Sequence, residues 1–275
     1  MGVLVYFIVF VFGLIIGSFL NCVIYRLALP KGRPRRSRLA TLRGRSFCPH
    51  CRHILSWQDL IPVFSFLILK GKCRYCHQKI SLQYPIVEIS TGLIFLLIFN
   101  FQFSIFNFQN LITTCFMLCV SCFMIVIFVY DLKHYIIPDK VIYPAIVLAL
   151  IFNFQQFGPE LTAEGFSMIK FSILSAIGAA AFFLAIVLIS RGQWMGIGDI
   201  KLAFFMGLFL SFPNILVALF LSFFIGAIIG IVLITARKKT LKSEVPFGPF
   251  LVIGTFLALF WGSELINWYQ GLFLI

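Results

Sequence analysis

Eight runs of apolar residues dominate this chain, at roughly 3 to 25, 86 to 103, 111 to 130, 141 to 157, 168 to 190, 200 to 212, 214 to 235 and 248 to 270. About 20 helical residues cross the hydrocarbon of a bilayer, so most of these runs are long enough to span it and two are short. Lipid offers no partners to peptide groups, so a spanning segment must be a helix or part of a closed barrel. The period-two alternation of a barrel strand is missing here. The expected fold is therefore an all-α integral membrane protein of about eight transmembrane helices. Composition agrees, since 61% hydrophobic and 11% charged residues fall outside the range of soluble domains.

Charge orients the spans. More than half of the 22 Lys and Arg residues lie between Arg26 and Lys79, a stretch with one acid, Asp59. The positive-inside rule makes that stretch cytoplasmic. Alternation then puts nearly all remaining basic residues inside and the amino terminus outside. The loops assigned outside, near 104 to 110, 158 to 166 and 212 to 214, carry no Lys or Arg and hold Glu160 and Glu164. No basic residues precede the first run, which argues against a cleaved signal peptide. The net charge of +13 raises the question of nucleic acid, but one-sided basic loops facing anionic lipid account for it, and no nucleic-acid partner is expected.

The sizeable soluble stretch runs from Leu27 to Gln83 and is too small to bury a stable core alone. It contains CPHC at Cys48 to Cys51 and CRYC at Cys73 to Cys76. Two such pairs suit a closed, tetrahedral four-thiolate zinc site, whose binding energy can replace a missing core. Paired disulfides or redox motifs are the competing readings, against which stand a reducing cytosol and two matched knuckles. A closed site of this kind is structural. His50, His53 and His77 are read as neighbours of the site rather than ligands, and Cys115, Cys119 and Cys122 as packing positions on one face of the third span. The expected organisation is a first transmembrane helix over 1–26, a zinc-binding segment over 27–83 and a seven-helix membrane domain over 84–275.

Three carboxylates stand out because acids at or in a membrane are costly and are functional candidates by default. Asp131 follows the apolar run ending IVIFVY, DLKHYIIPD leads from it to Asp139, and Asp199 opens the sixth span within MGIGDIK. The topology puts all three at the cytoplasmic surface. Gly196 and Gly198 allow close backbone approach and unusual dihedrals, so an extended peptide can lie there. Two converging carboxylates would share a proton and polarise a water between them; the competing reading is two helix-edge charges facing headgroup water. Asp199 at a helix start and Asp131 at a helix end face opposite ends of the macrodipole, which predicts the shared proton on Asp131 and an ionised Asp199 as base.

The chain resembles the type IV prepilin peptidase family, membrane aspartyl proteases of the GxGD class that are often also N-methyltransferases. The likeness rests on GSFLNCVIYRL from Gly17 to Leu27, the CPHC and CRYC knuckles, ISLQYPIVEISTG from Ile80 to Gly92, DLKHYIIPD, GIGDIKLAFFMG from Gly196 to Gly207 and PFGPF from Pro246 to Phe250. It implies an enzyme of the bacterial cytoplasmic membrane that removes the basic leader of prepilins or pseudopilins after a glycine. It further implies methylation of the new amino terminus from S-adenosylmethionine. On the resemblance, Asp131 and Asp199 are the catalytic pair, with Asp139, Gly196, Gly198 and Lys201 supporting. Asn21, Arg26 and Glu88 match recurrent positions of the methyl-transfer segment, and Cys48, Cys51, Cys73 and Cys76 are the zinc ligands.

The chain departs from the family where SWQDLIPVFSF carries Gln58 and Leu60 in place of a tyrosine and an asparagine, and where the basic arm GRPRRSRLATLRGRS is long. Both departures touch the methyl-transfer segment. Two rival classes stay open: a proton- or ion-coupled transporter using the same aspartates, and a zinc-dependent scaffold. The tetrapeptide FNFQ, at Phe99, Phe106 and Phe152, is read as an aromatic anchor belt at the outer interface or as compositional drift, and not as a binding motif.

Overall fold

The structure is a computed structural model and describes residues 2–28, 44–102, 108–157, 163–237 and 245–273. The basic arm falls largely outside the described residues, as do Phe106 and the lysines at 238, 239 and 242. The helices in chain order are α1 (Gly2–Leu27), α2 (Phe64–Ile68), α3 (Gln83–Gln102), α4 (Phe108–His134), α5 (Asp139–Phe157), α6 (Ala163–Ile189), α7 (Ile197–Leu210), α8 (Asn214–Thr235) and α9 (Gly248–Phe273), with a 3-10 turn at Trp57–Leu60. Each expected span is a helix, and among the described residues six of them, α1, α3, α4, α6, α8 and α9, are long and apolar enough to cross a membrane. The 14 residues of α7 reach only about 21 Å against a hydrocarbon core of about 30 Å.

The chain forms two compact units, Met1–Val126 and Ile127–Ile275. In the first, α1 and α3 pack antiparallel over their whole length. The Tyr6 hydroxyl donates to Asn100 at 3.0 Å near one end, and Asn21 donates to the Tyr84 carbonyl at 3.1 Å near the other. Between these contacts the backbones nearly touch. A Cβ on Gly13 would lie 2.6 Å from the Gly92 Cα, and one on Gly17 would lie 2.7 Å from the Glu88 Cα. Gly13 and Gly17 thus form a small-xxx-small stripe, which lets helices associate in lipid through dispersion where no hydrophobic drive exists.

The second unit is organised around α7, which packs on α6, α5, α9 and α8. Gly207 of α7 lies against the backbone of Ala176 in α6, and Gly254 of α9 against Ala218 and Ser222 of α8. A short helix surrounded by others must have both ends satisfied by protein. At its carboxyl end the buried Asn153 amide donates to the Leu208 carbonyl at 3.1 Å and accepts from Ser172 at 3.3 Å, while Ser172 and Ser211 share a 2.6 Å hydrogen bond. Asn153 belongs to the third FNFQ. The expected interfacial belt is therefore corrected there: Phe152 and Asn153 are buried, drawn in because α7 needs a capping donor.

Gly13→Val should lower the thermal midpoint of the detergent-solubilised protein, by about 1–3 kcal/mol of overpacking. Gly178→Val, where an added Cβ meets nothing within 4 Å, should shift it far less, and scanning fluorimetry of both variants checks the contrast.

Candidate functional site

The two cysteine pairs fold into the same local structure. In each, the residue after the second cysteine is left-handed, Arg52 at φ 59 and His77 at φ 57, and its N–H returns to the first cysteine's carbonyl at 2.9 Å. The next residue's carbonyl accepts from that first cysteine's N–H, His53 to Cys48 at 3.0 Å and Gln78 to Cys73 at 2.9 Å. Single bridges, Phe47 with Ile54 and Lys72 with Lys79, close the two loops. The four sulfurs consequently converge within 4.8 Å of one another, with Cys48 and Cys76 Sγ 3.9 Å apart. A tetrahedral ion with metal–sulfur bonds of about 2.3 Å sets its ligands about 3.8 Å apart, so the cluster can hold a metal ion. A backbone hydrogen bond from Gln78 favours the Cys76 thiolate, but burial and the Cys73, Cys51 and Cys48 sulfurs push the thiol up to about 11. Thiols crowded this closely ionise together only around a cation. The His53 ring stacks on Tyr75 at 3.7 Å across the knuckles.

Asp59 ties the knuckles together. It accepts from the Ser56 hydroxyl at 2.8 Å and backbone N–H at 3.1 Å, from Arg74 Nε at 2.8 Å and from the Tyr75 hydroxyl at 3.2 Å. Burial alone would raise its carboxyl, but these donors and the Arg74 charge outweigh it and hold it below the usual range. Its contribution is complete above the ordinary carboxylate pKa and is lost as pH falls through the lower folded value.

Glu88 and Asn21 are buried where α1 meets α3. Asn21 accepts from the Gln83 amide at 3.1 Å in addition to its bond to Tyr84. Glu88 accepts from Ser18 and from the Val63 N–H at 2.8 Å. Val63 is strained: φ is 60 and ψ is −49, and Phe64 N–H folds back to Pro62 at 2.6 Å. This is a γ-turn of the rare positive-φ kind at a β-branched residue. Arg26 donates to the Gly44 carbonyl at 2.9 Å.

In the second unit, Asp131 and Asp199 are 4% and 8% exposed and lie within reach of each other's charge. Asp199 is the third residue of α7 and accepts from Gly196 N–H at 3.3 Å, capping its own helix. Asp131 sits one turn before the end of α4, where Tyr135 N–H bonds to its carbonyl at 2.9 Å. Its carboxylate accepts from the Gly248 N–H at the start of α9. The expected asymmetry between the acids is thereby corrected, because both meet the amino-terminal end of a helix. Neither pairs with a basic side chain: among the described residues the ion pairs are Arg74–Asp59 and Lys201–Asp139. The latter, at 2.6 Å, links α7 to the start of α5, with the Lys201 ammonium also 5.0 Å from the centre of the Tyr143 ring. Asp139 itself is exposed and outside the buried pair.

The glycines act by space. Gly196 is extended, φ −84 and ψ 157, Gly198 is helical, and neither has the unusual dihedrals expected of it. A Cβ on Gly198 would press on Ile137 at 3.1 Å, and one on Gly248 would meet Asp131 Oδ2 at 2.5 Å and Ile137 at 3.5 Å. Ile137, buried in the turn after Asp131, thus fits between the starts of α7 and α9. Sequence reasoning passed over Gly248 and Ile137; the available signal was a glycine just before a proline at the start of an apolar run.

Two family models match the chain, the Bacterial Peptidase A24 N-terminal domain over residues 11–102 and the Type IV leader peptidase family over residues 118–231. Among curated proteins, a prepilin leader peptidase/N-methyltransferase of Legionella pneumophila is 32% identical over 97% of this chain and 94% of its own length. One from Bacillus subtilis is 32% identical over 95% and 96%, and one from Aeromonas hydrophila 30% identical over 97% and 94%. No solved structure matches.

Replacing Cys51 or Cys73 by Ser should remove about one equivalent of bound metal and open the segment to proteolysis, whereas His50→Ala should leave the metal in place. Elemental analysis of the purified variants decides it; full metal content in both serine variants would rule out four thiolate ligands.

Proposed function

The chain belongs to the type IV leader peptidase family, and from that premise we propose that Asp131 and Asp199 are the acid pair with which it hydrolyses its substrate. The protein is a multi-pass membrane prepilin leader peptidase and N-methyltransferase. The observation that carries the assignment of residues is the pairing of two buried carboxylates, far apart in sequence, each given one backbone N–H and no basic partner among the described residues.

In this reading the pair holds one proton between its carboxyl groups. The ionised member takes a proton from water as the water oxygen attacks the scissile carbonyl, and the protonated member donates to the carbonyl oxygen. Proton return to the leaving amine completes cleavage. Because the amides of Gly196 and Gly248 serve the acids alike, the roles belong to the pair and not to fixed members. The open space over Gly196, where a Cβ would find only its own helix at 3.9 Å, suits an extended backbone. The Asp139–Lys201 ion pair and Ile137 hold the three helix ends in position.

The finer assignments follow the charge pattern and the chemistry of the sites. The basic loops put the cysteine segment and both acids at the cytoplasmic face, with the amino terminus outside. Soft thiolates in a closed tetrahedral set make zinc the fitting metal, and it orders the segment without taking part in chemistry. The substrates are prepilins or pseudopilins with a basic leader. S-adenosylmethionine supplies the methyl group, and Asn21, Arg26 and Glu88 organise the segment that uses it. The transporter reading finds no support: neither buried acid lies in the middle of a span.

Asp131→Asn and Asp199→Asn should each reduce cleavage of a prepilin-like peptide by about 10²-fold or more, while methylation of a pre-cleaved, free-amine peptide continues. Folded variants that cleave at the parent rate would defeat the pair. Gly248→Ala, which drives a methyl group onto Asp131, should lower cleavage by up to about 10²-fold through misplacement, again sparing methyl transfer; normal cleavage would remove Gly248 from the site.

A further inference from the structure

In the stretch from Trp57 to Ile68 six large apolar side chains, Trp57, Leu60, Ile61, Phe64, Leu67 and Ile68, are exposed. Three of them form one stripe on α2: Phe64, Leu67 and Ile68 follow the i, i+3, i+4 spacing of a single helix face and are 63%, 64% and 73% exposed. Phe66 turns the other way and packs beside Gly71. Lys70 and Lys72 follow immediately, both exposed. A segment surrounded by water seldom leaves so much contiguous apolar surface uncovered.

The depth of this surface identifies what covers it. The helix α3, Gln83–Gln102, has 20 residues, or about 30 Å of helix, and is long and apolar enough to cross a membrane. That matches the hydrocarbon thickness of about 30 Å, which sets the start of α3 near the hydrocarbon edge. Glu88 lies about 7 Å further along the axis, and a helical side chain leans back toward the helix start. Its carboxylate holds the Val63 N–H at 2.8 Å. Val63 immediately precedes α2, so the tether puts that helix level with the first turns of α3. At this level α3 exposes an apolar stripe of its own, Ile86, Ile89 and Leu93, with Leu82 exposed just before its first turn, the face a spanning helix gives to acyl chains.

We propose that Trp57 to Ile68 is an interfacial foot that embeds in the bilayer surface, with Phe64, Leu67 and Ile68 among the acyl chains and Lys70 and Lys72 among anionic headgroups. Apolar residues backed by lysines at the headgroup boundary are the pattern of an in-plane membrane anchor. The strained γ-turn at Val63 turns the chain within the foot into α2, and Glu88 holds the turn in that shape. Through the foot, the metal-binding knuckles on either side of it are docked on the membrane from which α1 and α3 emerge. An apolar peptide could use the same stripe only by displacing the lipid already present at that depth, which makes lipid the favoured occupant.

The test uses the full-length protein in nanodiscs of phosphatidylethanolamine and phosphatidylglycerol, with p-benzoylphenylalanine introduced singly at Phe64, Phe66, Leu67 and Ile68. Irradiation should give lipid adducts, read by mass spectrometry, several-fold more abundant from positions 64, 67 and 68 than from 66. A second readout needs no photoprobe: Trp57→Phe should remove part of the tryptophan fluorescence quenched by lipids brominated near the headgroup. Equal adduct yields at all four positions, or unchanged quenching in Trp57→Phe, would overturn the foot. So would adducts at 64, 67 and 68 that form with an added prepilin-like peptide and not with lipid.

Discussion

A carboxylate held away from water needs a donor or a counter-charge, and among the described residues Asp131 and Asp199, the two buried acids of the second unit, have backbone donors alone. Gly196 N–H serves Asp199 and Gly248 N–H serves Asp131. Amides at a helix start carry partial positive charge and never titrate. A lysine or arginine there would hold an acid ionised; an amide supports it only partly, so the pair can still share a proton. Lys201, two residues after Asp199, is engaged by Asp139, which keeps the basic side chain closest in sequence occupied elsewhere. The site therefore requires the ends of three helices, α4, α7 and α9, to be held together, and much of the second unit serves that requirement.

Backbone proximity meets it. Gly207 lets α7 press onto Ala176 of α6, and Gly254 lets α9 press onto α8. A 14-residue helix has little length over which to bury itself, so its two ends matter in proportion. One is capped by the Asp199 carboxylate, and the other by Asn153 within the hydrogen-bonded group of Ser172 and Ser211. Lengthening α7 to a full span would carry one of these ends away from its partners. Its shortness is a condition of the site.

The helices were legible because lipid admits no alternative to them and their apolar runs are long. The knuckles were legible because CxxC spacing is itself the ligand geometry. Asp131 and Asp199 could be singled out as membrane-edge acids, but their surroundings could not. The helix-end argument treated Asp131 as belonging to α4 alone, whereas its donor comes from Gly248, 117 positions later in the chain. Likewise Gly198 suggested a dihedral and turned out to need space for Ile137, and Phe152 suggested a belt and was drawn inward with Asn153. Each miss involves a tertiary partner, and a tertiary partner leaves no local trace in a single sequence.

The residues matched to methyl transfer invite a different interpretation once their partners are known. A β-branched residue in the conformation of Val63 persists only where its surroundings over-determine it, and Glu88 is a buried part of those surroundings. Asn21 similarly fixes α1 to the first turn of α3 through Tyr84 and Gln83. Substituting either would disturb how the segment leaves the helix pair before it touched any bound methyl donor. Loss of methyl transfer in a Glu88 variant therefore speaks for chemistry only if the metal content and protease resistance of the segment are unchanged. Among the described residues neither the four-cysteine cluster nor the hydrogen bonds of Asp59 include Glu88, so the two effects are separable in one protein. Metal retained with methylation lost would point to Glu88 as a positioning residue for that reaction, with the γ-turn at Val63 as the element it positions.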